Sequence, residues 1–478
     1  MSASDFAKTF PLGARPPAPI PNERPLGAVR LLVRFWRNPL DTWTRFNFEY
    51  PITQANGVLG RVAVVCEPAA IKRVLVDNAA NYRKDPLQLR VLSPGLGKGL
   101  LTAEGGDWRK QRRALAPLFT PRMVQAFAPA MVATAEWLVQ RWSPLRPGRR
   151  LNVAAEMSVA TLEVLQRTIF PEGLSRDPRD FANGMSNLVN AIGALHPFDV
   201  LGAPDWLPRV GKRSPAPALK FFNDAVDDIL AARRARGAEP AQAADKASRD
   251  LLTMLLDARD PQTGEALSEE EIRANVVTFI GAGHETTANA LTWSLFLLSQ
   301  NPAWRDEVER EVDEVLGDGP IEAEALEKLP RVRATLDEAM RLYPPAPSLS
   351  REAIAADMLA GEKIHPGTLV VISPYVVHRH KLLWRDPDHF DPTRFLPENR
   401  EAIDRFAYLP FGGGPRLCIG MGFALQEATI FLAAILRSFR LDLAPGWRVA
   451  PIQRVTLRPK GGMPMVLQHR RATAMRAA

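Results

Sequence analysis

The stretch "FGGGPRLCIG" (residues 411–420) decides how the rest of the chain is read. It holds Cys418, one of only two cysteines in 478 residues. Three glycines run up to it, Arg416 stands two places before it and Gly420 two places after. Gly412, Gly413 and Gly414 let a backbone approach a flat partner without side-chain clash. The apolar run "MGFALQEATIFLAAIL" follows directly, so the cysteine stands at a helix start, where backbone N–H groups point at the sulfur. Burial opposes a thiolate, whereas a cation, a helix N-terminus or a metal favours it. Arg416 is placed to meet an anionic group on whatever the cysteine holds.

Three segments upstream belong with this one. Residues 268–300 read "SEEEIRANVVTFIGAGHETTANALTWSLFLLSQ". Ser268 and Glu271 have the spacing of a capping box. A rod of that length spans roughly 50 Å. It is apolar on more than one face, which puts it through the core. Its middle, "GAGHETTANA", sets glycines, an acid and two threonines into a buried helix. Each glycine costs about 1 kcal/mol against alanine there, and a threonine can draw a carbonyl out of the ladder. Gly283 and Thr286 therefore predict either a local kink with room beside it or a packing notch for a crossing helix. In "DEAMRLYPP" (337–345), Glu338 and Arg341 share a helix face before two prolines stop the helix. Such pairs are ordinarily exposed and worth little. Arg394 in "DPTRF" (391–395) would share Glu338 if the chain folds back, locking the loop that leads to Cys418.

Rival uses of the cysteine fit less well. A structural zinc needs four ligands, and no CxxC, HxxxH or HExxH occurs. The seven histidines do not cluster, although "HRH" (378–380) holds two, and His284 is alone on the central helix. No local signature of a cysteine hydrolase is present. A single thiolate holding haem iron fits one cysteine, small residues and a cation.

At these segments the chain resembles the cytochrome P450 family of haem-thiolate monooxygenases. Phe411, Gly414, Arg416, Cys418 and Gly420 match F-x-x-G-x-R-x-C-x-G, and "AGHETT" (282–287) matches the oxygen-activation motif. "EAMR" (338–341) matches E-x-x-R, Pro392, Arg394 and Phe395 match P-x-R-F, and "WRKQR" (108–112) matches W-x-x-x-R. The resemblance implies a mainly α (α+β) fold: a triangular, helix-rich domain with a small β-rich lobe and haem b between two helices. It implies Cys418 as proximal iron ligand, with Phe411, Gly412 and Gly420 beside the haem. Trp108, Arg112, Arg351 and Arg416 would bind its propionates, and Glu338, Arg341 and Arg394 would form a structural clamp. Ala282, Gly283, Glu285 and Thr286 would form the catalytic group, the last two handling the protons that O–O cleavage requires. His284 fills a variable position and receives no role.

The implied activity inserts one oxygen atom of O2 into a hydrophobic small molecule: a fatty acid, terpenoid, steroid or aromatic compound. Electrons would come ultimately from NAD(P)H through a separate ferredoxin or flavodoxin and its reductase. The alternatives are a peroxide-driven or isomerising haem-thiolate enzyme, and a non-catalytic haem sensor or carrier. The acid–threonine pair favours reductive O2 activation, since the peroxide-using branch lacks the threonine.

The remainder supplies organisation. Hydrophobic residues make up 46% and charged residues 24%, an ordinary globular balance. Length alone suggests two or three domains, but no linker separates any. We expect a proline-rich arm (1–25), one haem domain (26–468) and a basic tail (469–478). Helical spacing predicts a helix over 27–50, and "ITQANGV" and "RVAVVCE" read as strands, with Cys66 a buried hydrophobe in the second. Residues 67–345 read as mostly helical, 239–248 as a linker and 426–439 as a helix. The segments 86–101 and 345–350 read as loops lining the pocket with Ala282, and 195–208 as part of a lid. Arg90 belongs at the surface. Net charge is +8 with pI about 9.6, chiefly solvated faces, and nothing supports nucleic-acid binding. Arg109, Lys110 and Arg113 are the expected dock for an acidic electron donor. Two cysteines fit a reducing compartment. With no signal peptide or transmembrane anchor evident, a cytoplasmic monomer is expected.

Overall fold

The computed structural model describes residues 15–57, 60–169, 250–470 and, with short gaps, 181–235. Residues 1–14 of the arm, the 239–248 linker, 471–478 of the tail and positions 195 and 205 of the lid lie outside the described residues. The principal helices are α1 (Ala28–Arg37), α2 (Pro86–Leu96), α3 (Gly105–Leu115), α4 (Ala128–Trp142), α5 (Val153–Ile169), α6 (Ala216–Ala235), α7 (Glu269–Gln300), α8 (Pro302–Leu316), α9 (Pro330–Leu342) and α10 (Met421–Ser438). The mainly helical fold with small sheets agrees with expectation.

α7 is the axis. The Ser268 hydroxyl accepts from Glu271 N–H (3.2 Å) and the Glu271 carboxylate accepts from Ser268 N–H (2.7 Å), which closes the capping box. α5, α9 and α10 all pack on α7. One apolar core runs from Leu40 to Leu467. Among the described residues one helix, α10, is long and apolar enough to cross a membrane, and it lies in this core against α4 and α7.

The larger sheet has five strands in the order β1 (Ile52–Gly57), β2 (Gly60–Val65), β8 (Leu369–Ile372), β5 (Leu349–Ala353), β3 (Tyr82–Lys84). Only the β2–β8 pair is parallel. β4 (Arg150–Asn152), β12 (Pro464–His469) and β9 (Phe439–Leu443) form a second sheet, while β6–β7 (Asp357–Leu359, Glu362–Ile364) and β10–β11 (Pro451–Gln453, Leu457–Pro459) are hairpins.

Several expectations need correction. The helix expected over 27–50 ends at Arg37, because Pro39 cannot extend it and 3₁₀ turns follow. Cys66 sits just past β2 rather than in it; it is buried, and burial pushes its thiol up to about 12. Residues 86–101 are not a loop throughout. Asp85 accepts from Leu87 N–H (2.8 Å) and Pro86 starts α2, which ends only at Gly97 with φ +60°. The turn after α2 lies hard against α7, where a Cβ on Gly99 would stand 2.6 Å from Thr278 Oγ1. It is tied there by a buried amide chain: Asn275 Oδ1 accepts from Leu100 N–H (2.9 Å), Asn275 Nδ2 donates to Gln111 (2.9 Å), and Gln111 donates to Lys98 O (2.9 Å). The loop expected at 345–350 holds the start of β5.

α7 is assigned as one uninterrupted helix from Glu269 to Gln300, so the helical ladder is not broken at Gly283. The Thr286 and Thr287 hydroxyls donate back to Ala282 O (2.7 Å) and Gly283 O (3.3 Å) without opening the ladder. A Cβ on Gly283 would touch the Leu165 methyls of α5 at 3.3 Å. Gly283 thus serves as a packing notch for α5.

Candidate active site

The cysteine segment is shaped by two left-handed glycines. Gly412 has φ +74° and Gly414 φ +69°, conformations that L side chains rarely adopt. Gly414 has no space either, since an added Cβ would stand 2.0 Å from Leu75 O. Cys418 N–H donates to Phe411 O (3.0 Å), closing the loop. Cys418 precedes α10 by three residues, and Gly420 N–H donates to its sulfur. Cys418 is accessible to solvent, yet burial pushes its thiol up, against the Gly420 bond and the Arg112 charge. A group both accessible and desolvated faces an internal hollow rather than the outer surface.

The opposite wall is α7. Residues on both sides are buried, but Ala282 is exposed and Gly281, Gly283 and Thr286 are half-buried. Phe119 joins the walls, touching Gly420 at 4.0 Å from its would-be Cβ and packing edge-on to Phe279 of α7 at 5.4 Å. Leu349 of β5 reaches Gly412, 3.7 Å from a Cβ there.

Cations gather at one edge. The Arg416 guanidinium stacks over Trp108 (4.3 Å) and pairs with Glu104 (2.9 Å). The β3–β5 register sets Lys84 directly opposite Arg351. Like charges so placed repel. Burial first, and the Arg416 charge second, bring Lys84 down to about 7 and Arg351 to about 10; burial also lowers Arg112 and Arg416. Glu104 is one acid among four cations. The hollow therefore offers a thiol, apolar walls and buried positive charge short of anions. This donor set fits haem, a flat apolar macrocycle with an iron and two carboxylates. Lys84 and Glu104 were not legible in the sequence, because only the strand register and a turn bring them here.

Glu285 points away from the cleft edge of α7. It accepts from Thr456 Oγ1 (2.7 Å) and meets Arg458 at 3.4 Å, and its second carboxylate oxygen is buried without a partner. Thr456 and Arg458 belong to the β10–β11 hairpin and were not anticipated. His284 is buried on the α5 side, with Nδ1 3.0 Å from Ile280 O. Arg90 is exposed, as expected.

Glu338 and Arg341 form a buried bidentate pair, with Arg394 at its edge. Arg341 Nε and Nη2 donate to the two Glu338 oxygens (2.6 and 2.8 Å), and both side chains are fully buried. Arg341 also donates to His378 O, Pro387 O and His389 O, and Glu338 accepts from Asp391 N–H. Arg394 joins Glu338 at 3.9 Å. His378, passed over in the sequence, extends this knot toward the cysteine. Its Nδ1 donates to Arg341 O (3.2 Å) and its Nε2 accepts from Leu409 N–H (2.7 Å).

Those bonds require a neutral ring, and burial, aided by the Arg341 charge, brings His378 from 6.5 down to about 3. The unfolded chain takes up this proton near 6.5. The contribution of His378 is thus complete above that pH and is lost as pH falls toward 3, at up to about 1.4 kcal/mol per pH unit. Chemical denaturation from pH 6 downward is expected to show this slope as an excess over His378→Asn, and parallel slopes would rule it out.

The expected dock on the 109–113 run is not available as such. Lys110 pairs with Glu271 (2.9 Å) and Arg113 with Asp260, which leaves only Arg109 exposed.

A cysteine at a glycine-built loop, an acid–threonine pair on the facing helix and a buried Glu–Arg clamp define a haem-thiolate protein. The cytochrome P450 family profile matches residues 17–465, and the chain belongs to that family. Cyclooctatin synthase of Streptomyces melanosporofaciens is 34% identical over 399 residues, covering 83% of this chain and 84% of that protein. Cyclooctat-9-en-7-ol 5-monooxygenase of the same organism is 32% identical over 437 residues, 89% of this chain and 92% of that one. Bifunctional cytochrome P450/NADPH–P450 reductase 2 of Bacillus subtilis is 31% identical over 449 residues, covering 92% of this chain but 41% of that protein. The chain is a cytochrome P450 monooxygenase.

Proposed function

We propose that this enzyme oxygenates a hydrophobic small molecule, terpenoids being first among the candidate classes, with electrons from a separate ferredoxin or flavodoxin and its reductase. The observation that carries this reading is the enclosed cleft in which an accessible Cys418 and the accessible Ala282–Thr286 face of α7 share apolar walls. The names of two relatives, cyclooctatin synthase and cyclooctat-9-en-7-ol 5-monooxygenase, favour terpenoids over fatty acids, steroids and aromatics.

Haem, when bound, supplies the iron on which dioxygen is activated. Cys418 would be its ligand, while Arg112, Arg351 and Arg416 would hold its carboxylates and Trp108 braces Arg416; Lys84, which donates to Leu101 O and Ala103 O, would add its charge behind them. Ala282, small and exposed, keeps this face of α7 open. Thr286 presents a hydroxyl to the cleft, and Glu285 replenishes its proton once released from Thr456 and Arg458. The apolar walls exclude bulk water from this relay.

Thr286→Ala is expected to lower product formed per NAD(P)H by about one to two orders of magnitude in the ferredoxin-supported reaction, with the missing electrons recovered as hydrogen peroxide. The substrate comes from a ligand panel scored by the low-to-high-spin Soret shift. Unchanged coupling in the variant, with peroxide alone supporting full turnover, would favour the peroxide-driven alternative instead.

A further inference from the structure

We propose that Asp357 is a positioning residue for Cys418, acting through the π-helical turn Arg73–Asp77 that backs the cysteine loop. The inference rests on the haem-thiolate reading of Cys418. Asp357 opens β6, and its side chain is 2% exposed. Its carboxylate is saturated with donors. Oδ1 accepts from Arg73 Nε (2.9 Å), Arg73 Nη2 (2.6 Å) and Met358 N–H (2.8 Å). Oδ2 accepts from Asn78 Nδ2 (2.9 Å) and Tyr82 Oη (2.8 Å). Burial alone would raise this carboxyl, but the bonds from Arg73, Asn78 and Tyr82 outweigh it and bring it down to about 2. It is therefore an anion at neutral pH, and charge-assisted bonds of this kind are stronger than neutral ones.

Two of these partners bracket the turn. Arg73 begins it, Asn78 follows it, and Asn78 N–H donates to Arg73 O (2.8 Å) to close it. One carboxylate thus grips both ends of a single turn of a rare geometry, of a kind that collects at functional sites. Between the two grips sits Leu75, buried, with its carbonyl oxygen in the space a Gly414 side chain would need. The Leu75 Cδ1 methyl stands 3.3 Å from a Cβ built on Gly413, and the Val76 Cγ2 methyl 3.3 Å from one built on Gly414. Leu75 meets Gly414 backbone on backbone, so no side chain can turn aside to absorb a shift, and close packing passes the displacement on. Gly414 O in turn accepts from Leu417 N–H (3.0 Å), one residue before the cysteine. A turn that moves therefore moves the sulfur. Tyr82, the other side-chain donor, opens β3, the strand that carries Lys84 opposite Arg351. Asp357 so fixes the cysteine loop and the cationic edge relative to each other.

The test uses the haem-loaded full chain and its reduced carbon monoxide difference spectrum. The readout is the ratio of the thiolate-type Soret band to the blue-shifted band of haem that has lost its thiolate. Asp357→Asn keeps the shape, removes the charge and is expected to lower that ratio about tenfold. Arg73→Gln should do the same from a more exposed side chain, and combining the two should add little, since both break one contact. Should Asp357→Asn fail to hold haem, Arg73→Gln alone decides. Glu309→Gln is the control. Glu309 is equally buried and is held by Arg440 (2.9 Å) and Arg470 (3.1 Å), in and just past the second sheet, so its loss should cost stability without changing the ratio. An unchanged ratio in either haem-loaded variant overturns the proposal. So does an equal fall in Glu309→Gln, which would make the effect one of general stability. Absence of the thiolate-type band from the parent chain would overturn the haem-thiolate reading itself, and this inference with it.

Discussion

Cys418→Ala is expected to remove the Soret band typical of thiolate-ligated haem from the reduced carbon monoxide difference spectrum, and turnover with it. The reason lies in the balance at the sulfur. Burial holds the thiol up, and one N–H from Gly420 and the charge of Arg112 offset this only in part. A thiolate at neutral pH therefore needs a metal ion as its partner. Oxygenation should fall to the background rate while the fold survives, because the loop is closed by backbone and glycine geometry rather than by the thiol. Cys66→Ala serves as the control; that cysteine is buried away from the cleft and should leave the spectrum unchanged. A thiolate-type band persisting in haem-loaded Cys418→Ala would refute the assignment.

The second large effect is structural. Glu338→Ala leaves Arg341 fully buried with three carbonyl partners but no carboxylate. Breaking a buried pair in this way costs about 3–5 kcal/mol, a large part of the roughly 5–15 kcal/mol that holds a typical domain together. The damage should also reach the haem, since His378 and Leu409 carry the knot to the cysteine segment. Urea unfolding and the haem-loaded fraction after purification would both report it. Arg394→Ala should cost far less, because its contact with Glu338 is longer and its side chain is less buried. Equal stability of Glu338→Ala and the parent chain would show that the clamp is dispensable.

Much of this architecture was legible because its determinants are local. The capping box of α7 needs only Ser268 and Glu271, and the clamp helix needs only Glu338, Arg341 and two prolines. The cysteine loop declares itself through glycines that no other residue replaces. What sequence could not give is set by register and tertiary contact. Lys84 matters because it is opposite Arg351 across two strands some 270 residues apart in the chain. His378 acts through both ring nitrogens on residues more than thirty positions away. α2 was missed through its loop-like prolines and glycines, although Asp85–Pro86 is itself a helix-start signal. The basic run at 109–113 misled for the opposite reason: its charges are local, but their acidic partners are not.

If the cofactor's carboxylates meet Arg351 as proposed, the opposed Lys84 and Arg351 would tie cofactor loading to folding. A ligand carrying two negative charges at that edge gains attraction from the folded chain that the unfolded chain cannot give. It therefore shifts the folding equilibrium by an amount that grows with its concentration relative to its dissociation constant. Maturation of the protein would in this sense be a single coupled equilibrium, in which the prosthetic group would act as a folding ligand as well as a reagent.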